Sequence, residues 1–172
     1  MYRHGIPLVP QELLGYYLGL TVSKENKYLF WNPRTGKRPP SGWGTQASRK
    51  RYSMNKAFQK LGIPIKARQL LISEFNDDEY REYLKQIEKN DMDVMVCFDH
   101  RVLNRERKTK RGKHQGHLCV IDRVDLKNNK VRLIDPSPKH PKWRVVDIDD
   151  LKQATDWHYP KAGGFWEFRV KV

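Results

Sequence analysis

The pattern of apolar residues changes once along this chain, from helical periodicity in the first half to strand-like runs from Val94 onward. The helical spacing and its Pro, Ser and Gly boundaries predict helices over 10–18, 53–61 and 77–90. The later apolar, β-rich runs predict strands over the following residues: 94–98, 117–124, 130–134, 143–148 and 165–172. We therefore predict an α+β fold in which the N-terminal helices pack on a C-terminal antiparallel β-sheet.

A length of 172 residues suffices for one domain with a sizeable core, so we predict a single domain spanning 1–172. Two long basic loops are expected within it, at 26–52 and 100–116. The first contains several Pro and Gly residues and no hydrophobic period. The second carries seven basic residues and one acidic residue between 101 and 115, and so many charges require exposure to solvent.

Composition narrows the protein class. No stretch approaches the roughly 18 apolar residues of a membrane span, and the first residues lack the apolar region of a signal peptide. We therefore expect no membrane association and a cytoplasmic location. Cys97 and Cys119 each lie inside an apolar run, which predicts two reduced core residues rather than a disulfide.

The most informative motif is a strand pair near the middle of the chain. One strand reads GHLCVIDRV from Gly116, and the next reads VRLIDPSP from Val131. His117 at the start of one strand and Asp135 at the end of the next lie at the same end of a hairpin. We expect the imidazole and the carboxylate to share a hydrogen bond, which is how an Asp orients a His general base.

The chain resembles the papain-like cysteine peptidases of the C39 and C39-like group. The resemblance consists of these two motifs, the helices before them, a later acidic helix at 149–155 and a closing GGFWEF strand. The resemblance covers about residues 8–172 and is most specific from Asp93 onward. It implies a papain-like fold in which His117 is the general base and Asp135 its orienting partner. In that family a cysteine at the start of the first helix attacks the substrate, and a preceding Gln supplies the oxyanion hole.

The nucleophile of that family has no counterpart in this sequence. The first helix aligns with residues 10–19, and residues 6–10 contain no Cys, Ser or Thr. Ser53 follows Gln46 at a similar spacing, but a Ser at a helix start is most often an N-cap. Cys119 shares a face with His117, yet about 6.5 Å of strand rise separates residues i and i+2. The resemblance therefore implies a cysteine-peptidase homologue that is inactive as a peptidase.

Two other interpretations of the motif remain. His117 could cap a strand while Asp135 begins a turn before Pro136, with no chemical role. Alternatively, His114, His117, Cys119 and His140 could bind a metal, although their spacing matches no strong zinc pattern. We expect no metal and no cofactor.

Charge suggests the ligand. The chain has 34 Lys and Arg against 20 Asp and Glu, and residues 34–56 contain seven basic residues and no acidic one. We expect the loop before His117 to contact an anion through the following side chains: Arg105, Arg107, Lys108, Lys110, Arg111 and Lys113. The partner would be a peptide or acidic ligand, with nucleic acid or another polyanion as an alternative. Two alternatives remain open. The protein could be an active hydrolase or acyltransferase with an unconventional nucleophile, or the basic residues could only form a solvated surface.

Overall fold

The computed structural model describes residues 1, 4–47, 49–105, 116–137, 140–158 and 163–171. Within these ranges the helices are α1 Gln11–Tyr17, α2 Met54–Lys60, α3 Asp77–Asn90, α4 His100–Leu103 and α5 Ile148–Trp157. The strands are β1 Ile65–Leu71, β2 Asp93–Asp99, β3 Gly116–Asp125, β4 Lys130–Ile134, β5 Trp143–Asp147 and β6 Gly164–Val170. The mixture of helices with an antiparallel sheet confirms the α+β class.

The six strands form one sheet in the order β1-β6-β2-β3-β4-β5. The registers from β6 through β5 are all antiparallel, with Val96 opposite both Phe165 of β6 and Cys119 of β3. In the β3–β4 pair the register shifts between Ile121 and Arg123, which marks a β-bulge. Consecutive hairpins therefore carry the chain from β2 to β5 and place the start of β3 beside the end of β4.

The chain divides into two compact units. The first unit comprises Met1–Ala67 with Arg169–Val172, and the second unit comprises Arg68–Phe168. The prediction of a single domain over 1–172 stays a prediction. None of the helices in the described ranges combines the length and the apolar composition that a bilayer crossing requires.

The core of the second unit lies between the sheet and two helices. Apolar side chains at helical spacing on α3 pack toward β3, and α5 packs against β2. Phe165 of β6 is fully buried and contacts three aromatic rings, those of Phe75, Tyr80 and Tyr83. Cys97 and Cys119 are free and buried, as the sequence predicted.

Both ends of the loop predicted at 100–116 belong to regular elements in the structure. Residues 100–103 form α4, because the Asp99 carboxylate accepts the backbone N–H groups of Arg101 and Val102 and Leu103 is buried. Gly116 already belongs to β3. The loop predicted at 26–52 is mostly irregular but includes two 3-10 turns, Lys24–Leu29 and Lys50–Tyr52.

Candidate active site

The β3–β4 hairpin brings His117 and Asp135 together. His117 lies opposite Phe98 on β2, and its ring packs edge-on against the Phe98 ring at a centroid distance of 5.6 Å. On the other side, Val120 pairs with Ile134 of β4. Extending this register by one residue sets Asp135 across from Cys119, which shares a strand face with His117. Strand pairing alone therefore places the imidazole, the thiol and the carboxylate on one face.

A short hydrogen bond joins the imidazole and the carboxylate. His117 Nε2 lies 2.7 Å from Asp135 Oδ1, and the backbone N–H of Ser137 donates to the same oxygen at 2.9 Å. Since an ionised carboxylate only accepts hydrogen bonds, the Nε2 atom of His117 must carry the proton. The Asp135 side chain is 0% exposed, whereas the His117 side chain is 19% exposed. The imidazole is thus held in place by a buried carboxylate, while part of the His117 side chain remains accessible to solvent.

Asp135 is ionised despite its burial. Burial raises the pKa of Asp135, but the Ser137 N–H and the His117 imidazole outweigh it and hold the pKa below the ordinary value of an aspartate. Its second oxygen, Oδ2, lies 3.5 Å from Arg144 Nη1 in β5. This contact is an ion pair without a hydrogen bond, and both atoms lack a hydrogen-bond partner among the described residues.

Further side chains extend the cluster beyond the predicted pair. Arg144 Nη2 donates to Asn104 Oδ1, and the Asn104 side-chain amide contacts the ring nitrogens of His100. His100 Nε2 lies 2.7 Å from His140 Nε2, so one of these two rings must be unprotonated at that nitrogen. The His100 and His117 rings meet edge to face at a centroid distance of 5.0 Å. Three imidazoles, one guanidinium and one carboxylate therefore form a continuous cluster.

Cys119 does not have the properties of a reactive nucleophile. It is 1% exposed, and burial together with the Asp135 charge raises its thiol pKa to about 12. The thiolate is the nucleophilic form, so this thiol stays protonated and inert at neutral pH. The interpretation of Cys119 as a core residue agrees with the structure.

Three potential metal ligands meet at the same place. His117, Cys119 and Asp135 each offer one donor atom, and these atoms lie within 4.8 Å of one another. A tetrahedral zinc ion would find three of its four ligands here. The Arg144 cation beside Asp135 opposes the binding of a divalent ion at this place. Of the histidines considered from sequence, His140 binds His100 instead, and His114 lies outside the described residues.

No protein-family model matches this chain, and neither does any curated protein. The assignment of function therefore depends on the cluster itself and on the sequence resemblance.

The second nucleophile candidate, Ser53, is the residue before α2, but its side chain forms no capping hydrogen bond. Gln46 donates its side-chain amide to the carbonyl of Gly19, at 3.3 Å. That hydrogen bond engages one of the two side-chain N–H groups of Gln46. Ser53 as a nucleophile stays a sequence-based alternative.

Most of the predicted anion-binding loop lies outside the described residues, including Arg107, Lys108, Lys110, Arg111 and Lys113. Arg105 is described, and its guanidinium forms an ion pair with Asp150 at 2.9 Å. Arg105 is therefore already neutralised by an acidic residue of α5. The sequence did not identify His100, Asn104 and Arg144 as members of the site.

Proposed function

We propose that this chain has a papain-like fold of the C39-like group and binds a peptide or acidic ligand without hydrolysing it. The observation that carries this proposal is the His117–Asp135 hydrogen bond beside a thiol that is buried and protonated. An oriented base without a reactive thiol beside it, as in the described part of this chain, is expected of a peptidase fold that no longer cleaves its ligand.

The first observation that supports the proposal is the fixed tautomer and orientation of the His117 imidazole. A buried carboxylate that receives an N–H from Ser137 and the Nε2–H of His117 fixes both the tautomer and the ring plane. The opposite ring nitrogen, Nδ1, accepts no hydrogen bond from any residue the structure describes. His117 thus offers one acceptor or donor toward a ligand, which suits a peptide N–H or carboxylate.

The second support is the balance of charge in the cluster. Arg144 is a cation and three imidazoles lie in the same cluster, whereas Asp135 is the carboxylate that pairs with His117 and Arg144. The Nη1 atom of Arg144 is buried and has no hydrogen-bond acceptor among the described residues. The rest of the Arg144 side chain is partly exposed, and its positive charge favours a ligand with carboxylate oxygens, because charge-assisted hydrogen bonds are stronger than neutral ones.

The alternatives make different demands. An active hydrolase would need an ionisable nucleophile close to His117, and the Cys119 thiol pKa of about 12 argues against Cys119 in that role. Binding of nucleic acid through the loop before β3 depends on residues outside the described ranges, so it remains a sequence prediction.

Equilibrium binding of matched peptides tests the proposal. A fluorescein-labelled Glu-rich hexapeptide should bind more tightly than its Lys-rich counterpart when anisotropy is measured at low salt. His117→Ala and Arg144→Gln should each weaken that binding about tenfold, the effect of losing one charge-assisted hydrogen bond. Lys127→Ala, which removes an exposed charge at the β3–β4 turn, is the control and should change little. Equal binding of both peptides, or equal binding by wild type and His117→Ala, would refute the proposal.

A further inference from the structure

The first unit contains a cavity of about 410 Å³ that plays no part in the function proposed above. Its volume falls within the range of small-molecule sites. Residues between Glu12 and Lys60 line it, from α1, α2 and the irregular segment between them. The cavity therefore belongs to the first unit alone and is built by the segment that the sequence singled out for its basic charge.

The charge of the lining is strongly one-sided. Six basic residues face one carboxylate, that of Glu12; the basic residues are Arg34, Lys37, Arg38, Arg51, Lys56 and Lys60. Arg38 is engaged by backbone, since its Nη1 donates to the carbonyls of Lys27, Tyr28 and Phe30. The other five form no ion pair with any acidic residue in the described ranges. Six cations around a cavity that contains a single carboxylate favour the binding of an anion.

Aromatic rings are interleaved with these cations. Tyr17 carries the Arg34 guanidinium at 5.6 Å from its centroid and the Lys60 ammonium at 5.5 Å. Arg51 lies 5.3 Å from the Tyr52 ring. Trp31 lines the cavity and is half exposed, so part of its indole is accessible to a ligand. Flat rings beside cations provide stacking surfaces next to anion-binding groups, the combination used to bind nucleotides.

Close packing holds one of these rings in place. Gly19 has a φ of +67°, and a Cβ at this position would lie 2.7 Å from the Tyr52 ring. The Tyr52 ring therefore packs directly on the backbone at the end of α1, where glycine alone fits without displacing it. The position of the Tyr52 ring in the cavity lining is therefore fixed by the local backbone.

A buried amide donor in the cavity lining also lacks a partner. Asn32 is 4% exposed, and its Oδ1 accepts the backbone N–H of Arg34 at 2.9 Å. Its Nδ2 has no hydrogen-bond acceptor among the residues that the structure describes. A buried donor left unpaired costs free energy, and a ligand acceptor in the cavity would recover it. This observation is independent of the charge and of the rings.

We propose that this cavity binds a nucleoside phosphate. The phosphate lies among Arg34, Arg51 and Lys56, the base stacks on an exposed ring such as Trp31, and Asn32 Nδ2 donates to a ligand oxygen or ring nitrogen. An acidic peptide would satisfy the cations but would leave the stacking surfaces unused. The same chemistry is offered by a free nucleotide and by one nucleotide unit of a single strand, so the experiment includes both.

Isothermal titration calorimetry at low salt, with tryptophan fluorescence of wild type and of Trp31→Ala recorded in parallel, tests the proposal on the full chain. The probes are ADP, inorganic pyrophosphate, adenosine and a ten-residue oligothymidylate. ADP should bind at least tenfold more tightly than pyrophosphate or adenosine if a free nucleotide is the ligand, and should quench the fluorescence of wild type more than that of Trp31→Ala. Tighter binding of the oligonucleotide than of ADP, with the same residue dependence, would identify the strand as the source.

Matched variants distinguish binding in this cavity from non-specific attraction to the basic surface of the protein. Lys56→Ser and Arg51→Ser should each weaken binding about tenfold, whereas Lys66→Ser, an exposed charge of the same unit outside the cavity, should change it less than twofold. Trp31→Ala should weaken binding about fivefold or more, and Trp43→Ala, the exposed aromatic control, should not. The proposal is overturned if pyrophosphate binds as tightly as ADP, if Lys66→Ser matches Lys56→Ser, or if no probe binds.

Discussion

Asp135 Oδ1 lies 2.7 Å from His117 Nε2 and receives the Ser137 N–H as well, so one buried oxygen fixes both a turn of the backbone and the plane of an imidazole. The strand register makes this arrangement local, because Asp135 directly follows β4 and His117 is the second residue of β3. The pair therefore forms whenever this hairpin forms.

Asp135→Asn should weaken the hold on the imidazole. The amide can still accept from Ser137, but it loses the charge that favours a proton on His117 Nε2. We expect a loss of about 1–3 kcal/mol in the free energy of unfolding, measured by urea denaturation. The ¹⁵N spectrum of His117 should change from a single Nε2-protonated tautomer to a mixture. Asp78→Asn, at the exposed start of α3, should leave that spectrum as it is.

Stability should depend on pH through Asp135. Because the folded pKa of Asp135 is below its ordinary value, Asp135 stabilises the fold at every pH above the unfolded pKa of about 3.9. That contribution declines as the pH falls below this value and through the folded pKa. Urea denaturation between pH 6 and pH 3 should show a smaller decline for Asp135→Asn than for wild type. If the stability of both proteins declined equally with pH, the pKa of Asp135 would not be lowered on folding, contrary to this prediction.

Both thiols should resist alkylation in the native protein. Burial raises the pKa of Cys97 and of Cys119 to about 12, so their thiolate fractions near pH 8 are roughly a thousandfold below that of an ordinary cysteine. Iodoacetamide labelling followed by mass spectrometry should modify them only after unfolding in urea. Rapid labelling of native Cys119 that disappears in His117→Ala would instead reveal an activated nucleophile.

Phe165 should be the most sensitive aromatic of the second unit. It is fully buried among Phe75, Tyr80 and Tyr83, so Phe165→Ala leaves a cavity at the junction of β6 and α3. We expect a loss of about 3–5 kcal/mol in the free energy of unfolding. Val170→Ala, at the exposed end of the same strand, should cost less than about 1 kcal/mol. A similar cost for both variants would contradict this description of the core.

The sequence predicted most elements because each carries its own local signal. The helix over 77–90 has apolar residues at helical spacing after an acidic start, and the strand at 130–134 is a compact β-rich run. It did not predict β1, where Ile65 and Ala67 are buried but charged residues interrupt a short segment. It did not predict α4 either, because four residues carry no periodicity and the helix depends on the cap from Asp99.

The candidate site could likewise be predicted only where its residues carry a local sequence signal. His117 and Asp135 sit at matching ends of one hairpin, so their contact follows from strand register alone. Arg144 reaches Asp135 only because β5 pairs with β4, placing Arg144 opposite Leu133. His100 and Asn104 depend on α4, and neither carries a sequence motif. Contacts set by the pairing of further elements require the three-dimensional structure.

We propose that the His117–Asp135 cluster binds an acidic ligand and leaves it intact. The most direct measurement follows the His117 ring resonances by NMR over hours in the presence of a Glu-rich peptide, while mass spectrometry monitors the peptide. We expect the His117 resonances to shift on addition, Arg144→Gln to need about tenfold more peptide for the same shift, and the peptide mass to stay constant. Cleavage of the peptide by wild type but not by His117→Ala, or resonances that never shift, would contradict it.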